Sequence, residues 1–251
     1  MAKRRRVKTL FYDIETSLMK QYTFSIDGYN TYKDIIEDWK ILCASYSWDG
    51  DNKIYAVAYN EKKIVEELTE VVEEADIIVH HYGSKFDYTS LQARAAKLTG
   101  CPLPPLNQYN SVDTCKAAQK YFRFTSSKLD YLAAFFEVGR KRPVDKQLWR
   151  DVDQGVPGAM PKMIKYNMQD VRILKKVYKK MAPWLVNHPS HKLILSGIPN
   201  EPKVMPTCRY CFSKRMWYRG TEPTKTRRYI RYQCAVCKKW DKGVSYVKEE
   251  I

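Results

Sequence analysis

The sequence predicts an α/β domain followed by a small metal-binding module, and three observations carry that prediction. Strand patterns give way to helical periodicity in the order strand–strand–strand–helix–strand–helix over the first hundred residues. Two C-x-x-C pairs, Cys208/Cys211 and Cys234/Cys237, lie near the end in a stretch of different composition. The 251 residues suffice for one domain with a substantial core and a small module beside it.

Residues 7–12 (V-K-T-L-F-Y) read as a short buried strand rich in β-branched and aromatic residues. Asp13 and Glu15 follow at once in F-Y-D-I-E-T-S. Residues two apart on a strand share a face, so both carboxylates project the same way from the strand end. Like charges so close raise each other's pKa unless a cation lies between them, and such oxygen ligands suit Mg²⁺ or Mn²⁺. A pair of solvated strand-end acids, with Thr16 or Ser17 capping a helix, is the alternative this stretch alone leaves open.

After a loop rich in Tyr and Asp, 39–48 and 53–59 read as strands joined by a turn at D-G-D-N, giving a three-stranded antiparallel start. Ile64, Val65, Leu68, Val71, Val72 and Ala75 mark a helix over 61–75. The apolar run 76–82 reads as a buried parallel strand, and Gly83-Ser84 turns it into a helix over 86–98 that carries Asp87 near its start. An irregular connector (101–109), a short strand (111–114) and helices at 114–122 and 127–137 follow, then Gly139 and a basic stretch at 140–142. The last long helix spans about 160–184. Tyr166 and Asp170, four apart, share a face of it, and Asp170 stands beside Val171 on an apolar face, where a metal site would explain its burial. By itself Asp170 reads as an exposed helix charge, as Asp87 by itself reads as a helix N-terminal acid favouring the dipole.

Residues 187–203 read as a Pro-rich linker, dividing the chain into 1–186 and 204–251. The two C-x-x-C pairs, with hairpin strands at 214–219 and 227–232 between them, resemble a zinc ribbon, with Cys208, Cys211, Cys234 and Cys237 holding one structural Zn²⁺. So small a module would draw its folding energy from the metal. Cys43, Cys101 and Cys115 read as buried small hydrophobes. Net charge is +16, of which +9 falls in 187–251, so a polyanionic partner is expected. Lys214, Arg215, Arg227 and Arg228 interleave with Trp217 and other rings, as a nucleic-acid surface requires. No apolar run is long enough to span a membrane. A cytoplasmic protein is expected, with the K-R-R-R run at 3–6 as a nuclear address in a eukaryote.

The order D-x-E, then F-D after an apolar strand, then Y-x-x-x-D in a late helix, resembles the tyrosine branch of the DEDD superfamily of 3′→5′ exonucleases. The S-K-L-D-Y-L-A segment at 127–133 adds to it. The resemblance covers about residues 5–185 and is strongest to proofreading domains of family B DNA polymerases and their stand-alone, often phage-encoded, relatives. It implies a ribonuclease-H-like fold, a mixed sheet flanked by helices, and two Mg²⁺ or Mn²⁺ ions about 3.5–4 Å apart for phosphodiester hydrolysis. Asp13 would bridge the ions, Glu15 and Asp170 complete one site, Asp87 hold the other, and Tyr166 orient the attacking water. Thr16, Tyr82 and Phe86 would contact substrate, though the family often has Asn where this chain has Tyr82. His81 is read as structural, because Tyr166 fills the place a histidine takes in the other branch, and His80 as a strand residue with a satisfied ring. DNA is the expected substrate, with a replication or repair protein as a further partner. The rival readings are an RNA-trimming exonuclease, a structure-specific endonuclease, and a non-catalytic zinc-ribbon binding or regulatory protein on a vestigial nuclease fold.

Overall fold

The computed structural model describes residues 7–23, 25, 31–101, 103–106, 109–141, 144–185, 188–189, 205–208, 210–223 and 228–242. The basic run at 3–6, Arg227, and all of the 187–203 linker except His188 and Pro189 lie outside the described residues.

The fold grows around β1 (Thr9–Thr16). A short hairpin, β2 (Lys20–Gln21) with β3 (Ile35–Glu37), precedes β4 (Ile41–Trp48) and β5 (Tyr55–Ala58). Then come α1 (Glu61–Glu74), β6 (Ile77–His80), α2 (Asp87–Leu98), β7 (Ser111–Asp113) and α3 (Thr114–Tyr121). Helices α4 (Leu129–Phe135), α5 (Gln147–Asp153) and α6 (Ala159–Met181) complete the unit. The main sheet has the order β5-β4-β1-β6-β7; β1 pairs antiparallel with β4 and parallel with β6. This is the mixed, helix-flanked sheet that the sequence predicts.

Alternation along β1 sorts the two cores. Leu10, Tyr12 and Ile14 pack with Ile64, Leu68 and Leu91 from α1 and α2. Phe11, one position out of phase, joins Leu132, Leu174 and Val177 from α4 and α6 on the other face. Asp13 and Glu15 continue the row that Phe11 begins, so α6 runs over both acids. Arg94 on α2 grips Glu61 on α1 through Nε and Nη2, at 2.7 and 2.5 Å, and ties the helices of the first layer together.

Several elements differ from the sequence reading. β1 does not stop at Tyr12: its ladder with β4 continues through Asp13↔Ser45 and Glu15↔Cys43, so the acids sit within the strand. Only backbone groups make the ladder, and the small partners Ser45 and Cys43 leave room for carboxylates on that face. The last helix ends at Met181, because Pro183 cannot donate a backbone hydrogen bond; a 3₁₀ turn (Ala182–Trp184) follows. Cys43 and Cys115 are buried as expected, whereas Cys101, in the irregular connector, is exposed.

A separate three-stranded sheet is built from β8 (Met216–Pro223), β9 (Arg228–Cys234) and β10 (Trp240–Lys242), all antiparallel, with β9 in the middle. Met216, Ile230 and Tyr232 form its small core with Cys208 and Cys234. It meets the larger unit where the Arg231 guanidinium lies 5.4 Å from the centre of the Tyr109 ring. Among the described residues, no helix is long and apolar enough to cross a membrane.

Candidate active site and metal centre

Carboxylate oxygens of Asp13, Glu15 and Asp170 lie within 4.8 Å of one another. β1 supplies the first two; α6 supplies the third, because Val171, Leu174 and Val177 press that face of the helix against the sheet. One turn earlier on α6, Asn167 donates from Nδ2 to Asp13 Oδ2 at 2.7 Å. Lys141, from the loop after α4, donates from Nζ to Asp170 Oδ2 at 2.5 Å and lies 3.4 Å from the Tyr166 hydroxyl. The other oxygen of Asp170, Oδ1, is buried and has no hydrogen-bond partner among the described residues.

Asp87 approaches from the opposite layer, as the first residue of α2, and its Oδ1 accepts the Ile14 N–H at 3.1 Å. It lies outside the 4.8 Å group formed by the other three acids. The electrostatics follow from this crowding. Burial, then Asp87, Glu15 and Asp170, hold the Asp13 carboxyl well above its ordinary range. Burial and then Asp170 push Glu15 up to about 8, and burial pushes Asp87 up to about 7. Burial alone would lower Lys141, but the charge and hydrogen bond of Asp170 outweigh it and raise the ammonium pKa. An oxygen-only donor set whose members raise one another's pKa, with a buried carboxylate oxygen left without a partner, fits a hard divalent cation.

A second layer sets the turn from which Asp87 starts. Asp113 caps α3, accepting from Cys115 N and Lys116 N at 3.0 and 3.2 Å, and also accepts from Tyr82 N at 3.0 Å and Ser84 Oγ at 2.7 Å. Tyr82 itself is left-handed, with φ 64°. His80 Nε2 meets Ser111 Oγ at 2.8 Å, and His81 Nδ1 meets Thr114 Oγ1 at 2.9 Å. Burial lowers both imidazoles to about 4, so both are neutral near pH 7. His80 Nδ1, however, is buried without a hydrogen-bond partner among the described residues, 3.5 Å from Asp113 Oδ2, so its ring is only half satisfied and not fully so as the sequence suggested.

The residues expected to contact substrate fall into two groups. Thr16 closes β1, while Tyr82 and Phe86, each a little under half exposed, flank the turn that leads to Asp87. Lys214 and Arg215 are exposed before β8, and Trp217 lies on it. Arg228 begins β9, and Arg227 is outside the described residues. Sequence reasoning missed Lys141, Asn167 and Asp113. The signal for Asn167 was present, since it stands three residues before Asp170 on the same helix face.

In the smaller sheet, one sulfur from each of Cys208, Cys211, Cys234 and Cys237 falls within 4.8 Å of the others. Cys208–Cys237 and Cys211–Cys234 are 3.6 and 3.5 Å apart, far beyond a disulfide bond of about 2.05 Å. Burial opposes a thiolate at Cys234, but the N–H groups of Cys237 and Val236 outweigh it and bring the thiol down to about 6. Four convergent sulfurs with backbone donors aimed at them fit a tetrahedral structural zinc.

Comparison with known proteins follows the same lines. A solved structure of the family B DNA polymerase from the hyperthermophilic archaeon Pyrobaculum calidifontis is similar to this chain, with a TM-score of 0.51 and 17% identity. The match covers 71% of this chain but only 25% of the polymerase, and at that identity it speaks for the fold. No curated protein matches. The family model for the RNase_H superfamily (RNase_H_2) matches residues 10–182, which take in β1, α6 and every carboxylate of the site. The chain belongs to the RNase_H superfamily.

Proposed function

We propose that the chain is a metal-dependent 3′→5′ exonuclease that hydrolyses phosphodiester bonds in DNA, with a basic zinc ribbon at 204–251 gripping the nucleic acid. The observation that carries this reading is the convergence of Asp13, Glu15 and Asp170 within 4.8 Å, with Asp87 joined to the same strand through Ile14 N–H. Two Mg²⁺ or Mn²⁺ ions held by these four acids would supply Lewis-acid activation of a water and stabilise the leaving 3′ oxygen.

The chain's own residues do the rest. Asn167 fixes one edge of Asp13, and Lys141 engages Asp170 Oδ2 while leaving Oδ1 available. Tyr166, whose phenol burial and Asp170 push up to about 12, stays protonated at working pH. It therefore orients the attacking water by hydrogen bonding and does not act as the base. Thr16, Tyr82 and Phe86 flank the acids where the 3′ end of a strand would lie, the two rings offering faces to its terminal bases. The resemblance to proofreading domains supports DNA ahead of RNA, and a replication or repair protein is the further partner it suggests.

The test is cleavage of 5′-labelled single-stranded DNA, duplex DNA and RNA with Mg²⁺ or Mn²⁺, wild type beside Asp13→Ala. A ladder shortening from the 3′ end, abolished in the variant while binding persists, is expected. Cleavage by Asp13→Ala at the wild-type rate would remove the active-site assignment, and faster trimming of RNA would change the substrate.

A further inference from the structure

The two cysteine knuckles are built alike. In the first, Phe212 N–H donates to the Cys208 carbonyl at 2.9 Å and Cys208 N–H to the Ser213 carbonyl at 2.9 Å. In the second, Lys238 N–H donates to the Cys234 carbonyl at 3.0 Å and Cys234 N–H to the Lys239 carbonyl at 2.9 Å. Phe212 and Lys238 are thus equivalent, each directly following the second cysteine of its pair. Both are left-handed, at φ 56° and 62°. Glycine adopts that conformation freely, whereas a Cβ opposes it. A turn that served only to hold a metal would be relieved by glycine at both places.

The two strained positions instead carry a ring and a cation. Phe212 is 79% exposed, the highest value among the large exposed apolar residues along with Tyr32, and it takes no part in the small core around Ile230 and Tyr232. Packing among the described residues does not account for it. Lys238 places its ammonium 4.4 Å from the centre of the Trp217 ring, and Arg219 places its guanidinium 4.9 Å from the same ring. Arg219 is further fixed by the buried Gln233, whose Oε1 accepts from Nε and Nη2 at 3.1 and 2.9 Å. Trp217 therefore serves as a seat for two cations, and Phe212 is the ring left open. Lys239 lies 4.4 Å from the centre of the Tyr210 ring, so the knuckles also meet outside their cysteines. Two equivalent strained positions, each with an exposed side chain beside a cysteine pair, motivate a functional hypothesis.

We propose that the knuckle tips form a site for single-stranded nucleic acid, in which Phe212 stacks on an unpaired base and Lys238 and Arg219 take backbone phosphates. In a duplex the base faces are already covered, so an exposed ring of this kind selects unpaired strands. The inference rests on the reading that the chain acts on nucleic acid, and the controls separate the two.

The experiment uses the full zinc-loaded chain carrying Asp13→Ala, so that the strand survives, and follows fluorescence anisotropy of a 5′-labelled oligo-dT against a duplex of the same length. Adding Phe212→Gly should leave the thermal midpoint unchanged or raised, lower single-strand affinity about tenfold, and leave duplex affinity unaltered. Phe212→Leu, which keeps the strained backbone and the apolar surface but removes the ring, should lose single-strand affinity equally. Lys238→Gly should weaken binding and reduce the salt slope by about one. Unchanged single-strand affinity in the Phe212 variants, or retention in Phe212→Leu alone, would overturn stacking and point to a protein-docking surface. A parent chain that bound neither oligonucleotide would instead overturn the nucleic-acid reading as a whole.

Discussion

Gly83 has no room for a side chain: a Cβ there would stand 2.7 Å from Asp87 Oδ2 and 2.7 Å from His80. Neither neighbour can retreat, since Asp87 is tied to Ile14 and His80 is buried among the parallel strands. Gly83→Ala should therefore shift Asp87 and reduce cleavage about a hundredfold while the chain still folds and binds DNA, because small displacements of catalytic groups are costly. Kinetics and anisotropy on the same preparation check this. Tyr82, the next residue back, is strained at φ 64°, where Asn is better tolerated. Tyr82→Asn should stabilise the fold by about 1 kcal/mol in urea unfolding, and any loss of activity beside that gain would isolate the substrate contact of the ring. At this scale the four acids were legible, because each sits in a short motif with a reason to be there. Lys141 was not: it reaches Asp170 from an irregular loop 29 residues earlier, where no periodicity points.

At the scale of elements, Asp113 joins three pieces: it ends β7, caps α3 and holds the Tyr82–Ser84 turn. Asp113→Ala removes all of these acceptors at once and should cost about 2–3 kcal/mol, a cap plus buried donors left unsatisfied. Asp113→Asn, which keeps one acceptor oxygen, should recover part of that loss in the same urea series. Cleavage should fall in both variants as the turn before Asp87 loosens. The long elements could be read from sequence, since α1 and α6 each repeat an apolar face over three turns or more. α5, with seven residues, the two-residue β2 and the three-residue β10 could not. Such short pieces are fixed by what they pack against, as Trp149 of α5 is against Tyr166 at 5.9 Å between ring centres.

For the whole molecule, the chain places four carboxylates where its two layers meet along β1, a collision of charge that Lys141, 2.5 Å from Asp170, and protonation of the raised carboxyls relieve in part. The C-x-x-C spacing made the four-cysteine cluster readable, but the contact of Arg231 with Tyr109 depends on a tertiary arrangement that no local pattern encodes. The collision makes stability depend on pH in a definite direction. Glu15 rises from 4.5 to about 8 on folding and Asp87 from 3.8 to about 7, so the folded state binds the extra protons. Their contribution is fully present below the unfolded values and is lost as pH rises through 7 to 8. His80 and His81, lowered to about 4, act oppositely, adding stability as pH rises to 6.5 and nothing beyond it. Above pH 6.5 only the acids remain in play. Without divalent ions but with zinc retained, stability should therefore fall by about 2 kcal/mol between pH 6.5 and 8.5, or roughly 5 °C in thermal midpoint. Millimolar Mg²⁺ or Mn²⁺, bound by the ionised carboxylates as proposed, should flatten or invert that slope. Asp170→Asn should reduce both the slope and the metal response, because it removes one of the like charges that raise Glu15. A slope that persists unchanged in Asp170→Asn, or that Mg²⁺ leaves untouched, would separate these acids from any metal site.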